Sequence, residues 1–108
     1  MNRSGNVYIK HLFCGVIHEN ENGYSFQYDR SYLNHDFAQA VSLTLPLKEM
    51  AYDSKTLFAF FDGLIPEGWL LDLAEKNWKI NHNDRMGLLL TCCKDCIGDI
   101  SIIKNEKL

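Results

Sequence analysis

Polar and apolar positions alternate with a period of two in the first half of the chain and with a helical period in the second. In "GYSFQYDRSYL", Tyr24, Phe26 and Tyr28 interleave with Ser25, Gln27 and Asp29. That spacing predicts a strand with one buried face. Upstream, "NVYIKHLFCGVIHEN" holds β-branched and aromatic residues in two short runs, with Gly15 near the middle, and reads as its partner. "ENENG" between the runs predicts a hairpin turn with Asn22-Gly23 at its tip. "AVSLTLPL" alternates again, placing Val41, Leu43 and Leu45 on one side of a further strand that Pro46 ends.

The second half changes period. Asp53 or Ser54 is placed to cap a helix carrying Leu57, Phe58 and Phe61 on one stripe, with Gly63 as its stop. Pro66 suits the first turn of a new helix, and Glu67 favours the positive end of its dipole. "NHNDRMGLLLTCC" offers Asn81 or Asn83 as a cap and Met86, Leu89, Leu90 and Cys93 as a buried stripe. "IGDISII" predicts a short closing strand. The expected fold is α+β: a small antiparallel sheet formed mainly by the N-terminal half, packed with about three short helices from the C-terminal half. A chain of 108 residues is read as one domain, 1–108.

One residue breaks the helical pattern. Helical residues advance by about 100° each. Leu71, Leu73, Ala74 and Trp78 then centre on a direction roughly 40° from Leu70, whereas Trp69 falls roughly 135° from that centre, near Asp72 and Lys76. Packing of Trp69 on Pro46 or on the strand layer is one explanation, since tryptophan is usually mostly buried. The other is an anchor for a partner, held on a tight Pro66–Gly68 turn at little entropic cost.

Composition narrows the function. The chain is 46% hydrophobic and 23% charged with a net charge of −3, which fits a globular protein. Its lysines and arginines are scattered, with only Lys76, Lys79 and Arg85 loosely together, so direct nucleic-acid binding is not expected. No apolar run approaches the roughly 20 residues a membrane helix needs, and "MNRSGNVYIK" has no secretory h-region. A cytoplasmic protein with free thiols is expected. Cys93-x-x-Cys96 with Cys92 and His82 could hold zinc or act as a redox pair, but the ligand set is incomplete and no second pair exists. Asp53, Asp62, Glu67, Asp72 and Asp84 each sit where a cap or a solvated helix face explains them. No G-x-S-x-G, P-loop, H-E-x-x-H or kinase catalytic-loop signature is present, and no nucleophile pairs with His11, His18, His35 or His82. Neither enzyme nor cofactor is expected.

Three segments in order carry a resemblance: "VSLTLPL", "LFAFFDGLIPEGWLLDLAEK" and "DRMGLLLTCCKDCIGDISII". Together they resemble the N-terminal subdomain of HipA-type kinases, from about Val7 to Ile103. In that subdomain an S-L-S-L-P-L segment precedes a phenylalanine-rich helix, an N/G-L-L-P-E/D turn, and a leucine-rich helix leading to a G-x-D-x-x-G-A loop and strand. Here Cys93 replaces the first glycine of that loop and Asp99 the alanine. The family's ATP site and catalytic aspartates lie beyond this subdomain, so the chain is not expected to be the kinase.

A free-standing copy of the subdomain is similar to the HipS-type antitoxins of three-component HipBST toxin–antitoxin systems. The resemblance implies a HipT-like kinase toxin as partner and a HipB-like DNA-binding protein as a possible third component. It implies neutralisation by binding. Joined to the outward position that the helical spacing gives Trp69, this leads to the expectation that Glu67, Gly68, Trp69, Asp72, Leu73 and Lys76 form the contact, with Trp69 as anchor at or near the kinase active site. Two other readings stay open: a non-inhibitory subunit that completes the kinase fold, and a small zinc or thiol-redox module.

Overall fold

The computed structural model describes residues 2–65, 67–68, 72, 76, 83–93 and 99–105. Five strands form one antiparallel sheet: β1 (Arg3–Ile9), β2 (Leu12–Asn20), β3 (Gly23–Tyr28), β4 (Tyr52–Ser54) and β5 (Ile100–Lys104), in the order β4-β3-β2-β1-β5. Three short helices are described: α1 (Arg30–Leu33), α2 (Ala59–Asp62) and α3 (Arg85–Cys92). The α+β expectation holds, with a sheet drawn mainly from the N-terminal half. Among the described helices, α1 comes from that half as well.

Register puts alternate residues on one side. Val7 faces Gly15 and Ile102, while Ile17 faces Gly5 and Phe26. Val7, Ile17, Phe26 and Ile102 are fully buried under Phe61 and the α3 residues Met86, Leu88 and Leu89. Phe26 meets Phe61 at a ring separation of 5.2 Å. Burying each such side chain contributes about 1.5–3 kcal/mol relative to leaving it in water.

One turn differs from the expected one, and a second carries no signal in the sequence. The β2–β3 hairpin turns on Glu21-Asn22, and Gly23 is already the first residue of β3, paired with Asn20. Its φ of 143° and the Ser54 carbonyl oxygen, into which a Cβ would run, require glycine there. The β1–β2 turn is made by Lys10 and His11, with φ of 50° and 71°. Neither is the Asn-Gly pair that such a turn favours, so the sequence does not advertise it.

Two predicted elements are corrected. Residues 41–45 form a tight turn with an isolated Ser42–Leu45 bridge and not a strand; Val41 and Leu45 are buried while Leu43 between them is fully exposed. The physical reason is Tyr28. Its buried hydroxyl accepts the Val41 N–H at 3.0 Å and donates to the Leu45 carbonyl, so the loop's backbone is bonded to a side chain in place of a neighbouring strand. Second, Asp53 and Ser54 belong to edge strand β4 opposite Ser25 and Tyr24, and do not cap α2, whose N-cap is Phe58. Gly63 does end α2. For α3 the cap is Asp84, whose carboxylate accepts the Gly87 N–H at 3.2 Å, and not Asn83; Asn81 lies outside the described residues.

At the other margin of the sheet, odd-numbered residues of β5 bond to β1, as the flanking Lys10-to-Asp99 and Asn105-to-Ser4 bonds show. The amide of Ile102 points outward and donates to the carbonyl of Cys93 at 2.8 Å.

Candidate functional site

The predicted contact residues fall in the stretch of chain between α2 and α3. Charge closes the base of that stretch. Arg85 Nε lies 2.7 Å from Asp62 Oδ1, joining the last residue of α2 to the first residue of α3. One position earlier, Asp84 is gripped by Arg3 of β1 at 2.7 and 3.0 Å, and the same guanidinium holds Glu19 of β2 at 2.7 and 3.1 Å. These bonds raise the Arg3 pKa further and hold the Asp84 carboxyl below the usual carboxylate range. The closure is therefore charged, directional and tied to the sheet.

From that base the chain stays pinned as far as Ile65. The Leu64 and Ile65 N–H groups donate to Phe61 and Asp62 carbonyls at 3.0 and 3.2 Å, and Ile65 is buried. Cys93 Sγ donates to the Leu64 carbonyl at 3.3 Å. Two residues later Glu67 is exposed, and so is Gly68. Gly68 has a φ of 61°, and a Cβ added there would meet nothing within 4 Å. Its left-handed backbone, and not crowding, explains the glycine. Asp72 then donates its N–H to the Gly68 carbonyl at 3.2 Å. Asp72 and Lys76 are both helical and exposed, and four residues apart they share one helix face.

Four of the six predicted contact residues, Glu67, Gly68, Asp72 and Lys76, are thus on the surface of one turn and helix face. Trp69 and Leu73, with Pro66, lie outside the described residues. So do Trp78, His82 and Cys96, and with them most of the suggested zinc or redox set. Of that set Cys93 is buried and Cys92 half-buried. Among the described residues no group of three His, Cys, Asp or Glu side chains is placed to hold a metal, and no helix is long and apolar enough to cross a membrane.

Two features carry no signal in the sequence. One is the Arg3–Glu19–Asp84 network, whose members stand 16 and 81 residues apart from Arg3; no linear spacing signals it. The other is the set of tyrosine hydroxyls that fix the 39–49 loop. Tyr32 donates to the Gln39 carbonyl at 2.8 Å and accepts its N–H at 2.9 Å, and Tyr52 donates to the Pro46 carbonyl at 2.5 Å.

Fold and site define a small α+β module in which an Asp62–Arg85 ion pair ties α2 to α3. Residues 5–103 match the family model described as the HipA N-terminal domain. An "Uncharacterized protein" of Haemophilus influenzae is 31% identical over 105 residues, covering 97% of this chain and 95% of that protein. A solved structure, the "N-terminal domain of HipA toxin", superposes with a TM-score of 0.74 at 32% identity over 98% of this chain and 95% of that one. The chain belongs to the HipA N-terminal domain family. What it shares is that N-terminal domain, and not a kinase domain.

Proposed function

We propose that this protein is an antitoxin that binds and neutralises a HipA-like serine/threonine kinase toxin, using the 66–76 turn and helix face at or near the kinase active site. Membership of the HipA N-terminal domain family supports a HipA-related toxin–antitoxin component. The single observation that carries the finer reading is the exposed left-handed Gly68 turn on a base closed by Asp62–Arg85. A turn so anchored presents its side chains with little ordering left to do on binding. The helical spacing of the sequence assigns Trp69 to the same stripe as Asp72 and Lys76, both exposed. Trp69 is the anchor, Leu73 its apolar neighbour, and Glu67, Asp72 and Lys76 the polar rim.

The test is autophosphorylation of a HipA-type kinase that lacks its own N-terminal piece, with and without the purified chain. The chain suppresses it, and Trp69→Ala weakens suppression by about thirtyfold, the equivalent of about 2 kcal/mol, with an unchanged urea midpoint. Binding without suppression would instead identify a structural subunit that completes the kinase fold. A HipB-like DNA-binding protein is the third component of the proposed complex, and this chain makes no contact of its own with nucleic acid.

A further inference from the structure

Six of the seven large apolar side chains exposed among the described residues come from one end of the sheet: Leu12, Phe13, Phe37, Leu43, Leu47 and Met50. The β1–β2 turn and the loop leading from α1 to β4 both lie there, because Ile9 pairs with Leu12 and Tyr28 with Gly15 at that end. A groove of about 340 Å³ opens between them. Ile9, Leu12, Tyr32, Phe37 and Ala38 line it together with the polar Lys10 and Gln39. Phe37 is 80% exposed and Leu12 42%, although the wall beneath is fixed by both Tyr32 hydroxyl bonds to Gln39. A rigid apolar wall left open to water is the mark of a contact surface.

Its electrostatics select the occupant. Lys10 is in the lining and no carboxylate is. Asp99 meets Lys10 through the backbone, where the Lys10 N–H donates to the Asp99 carbonyl at 2.8 Å. Among the described residues Lys10 makes no ion pair. His11 is exposed beside it, and His35 packs its ring on Phe37 at 5.8 Å; Asp36 adjoins Phe37 in the chain but lies outside the lining. The Lys10-His11 corner also holds two non-glycine residues at positive φ.

We infer that this groove, which shares no lining residue with the Gly68 turn, is a second docking site for a segment of the toxin partner that carries a bulky apolar side chain next to an acidic one. The inference rests on the reading that a HipA-type kinase is the partner. The apolar group fills the space between Leu12 and Phe37, and the carboxylate meets the Lys10 ammonium.

Affinity for the kinase, measured by calorimetry at two salt concentrations, tests it. Lys10→Glu and Phe37→Ser each lower affinity by about tenfold or more, Lys10→Arg stays near wild type, and Lys10→Glu flattens the salt dependence. Lys10→Asn supplies a readout that a merely structural role would not give. Asparagine suits the left-handed turn, so this variant raises the melting temperature while it weakens binding. Wild-type affinity in both Lys10→Glu and Phe37→Ser overturns the groove and leaves the antitoxin reading standing. No binding by the wild-type chain overturns both. Self-association of the chain that Phe37→Ser abolishes assigns the groove to a second copy and likewise overturns the proposal.

Discussion

Arg3 and Asp84, separated by 81 residues, face each other through two parallel bonds of 2.7 and 3.0 Å. The same Asp84 carboxylate caps α3 through the Gly87 N–H. One side chain therefore docks a helix onto the sheet and starts that helix. Asp84→Ala should lower stability by about 1–2 kcal/mol, chiefly through the lost cap, whereas Asp84→Asn keeps a capping oxygen and loses less. Urea denaturation of the two variants checks the order.

The pair also sets an acid limit. Arg3 holds the Asp84 carboxyl below its ordinary range, so the folded state binds that proton less readily than the unfolded chain. Its contribution is complete above the unfolded carboxylate pKa, about 4, and is lost as pH falls through the lower folded value. Asp84 keeps 38% of its side chain exposed, so solvent screening keeps the effect modest. Arg3→Met should flatten this part of the stability–pH curve, measured by urea midpoints on either side of that carboxylate pKa.

Tyr28 makes the opposite prediction at the alkaline end. Burial pushes its phenol up to about 12. The protonated form is favoured on folding, so its contribution is intact below the unfolded value of about 10 and drains as pH rises through the folded one. Tyr28→Phe strips a partner from the Val41 N–H and the Leu45 carbonyl, at a cost of about 1–3 kcal/mol. Hydrogen exchange at the Val41 amide should accelerate with it.

These side-chain bonds explain what the sequence could and could not foretell. Tyr24, Phe26 and Tyr28 alternate and form β3, because a half-buried strand repeats every second residue. Met86, Leu89 and Leu90 repeat helically and are buried. The 41–45 stretch alternates just as cleanly, yet Leu43 points into water, because a phenol from another strand takes the hydrogen bonds a β-ladder would have used. Position 10 carried no turn residue, and Arg3 gave no sign of reaching Asp84. At the candidate site, Gly68 was legible as a turn and Asp72 and Lys76 as a solvated face; the ion pair that closes their base was not.

Core and turn should respond differently to truncation. Phe61 is fully buried against Phe26, Phe58 and Phe60, so Phe61→Ala should cost about 3–5 kcal/mol. Gly68→Ala meets no atom but forces a Cβ onto left-handed backbone, about 1 kcal/mol of local strain. If the proposed antitoxin function holds, its main effect is weaker suppression of the kinase with a small change in melting temperature, read by a kinase assay beside a thermal scan.

Cys14 is fully buried, and desolvation pushes its thiol up to about 12. Neither access nor a thiolate is available near neutral pH. Mass spectrometry after iodoacetamide treatment should find Cys14 unmodified in the native protein and fully modified in urea.

The outward amide of Ile102, already engaged by the Cys93 carbonyl, has a consequence for crowding. A foreign β-segment laid along this border would find its central donor taken and could not zip into register. At the far border β4 offers only three residues. Fibril growth by strand-on-strand stacking is thereby starved of a template, and concentrated solutions of the folded protein should stay clear where an open-edged sheet of this size would gel.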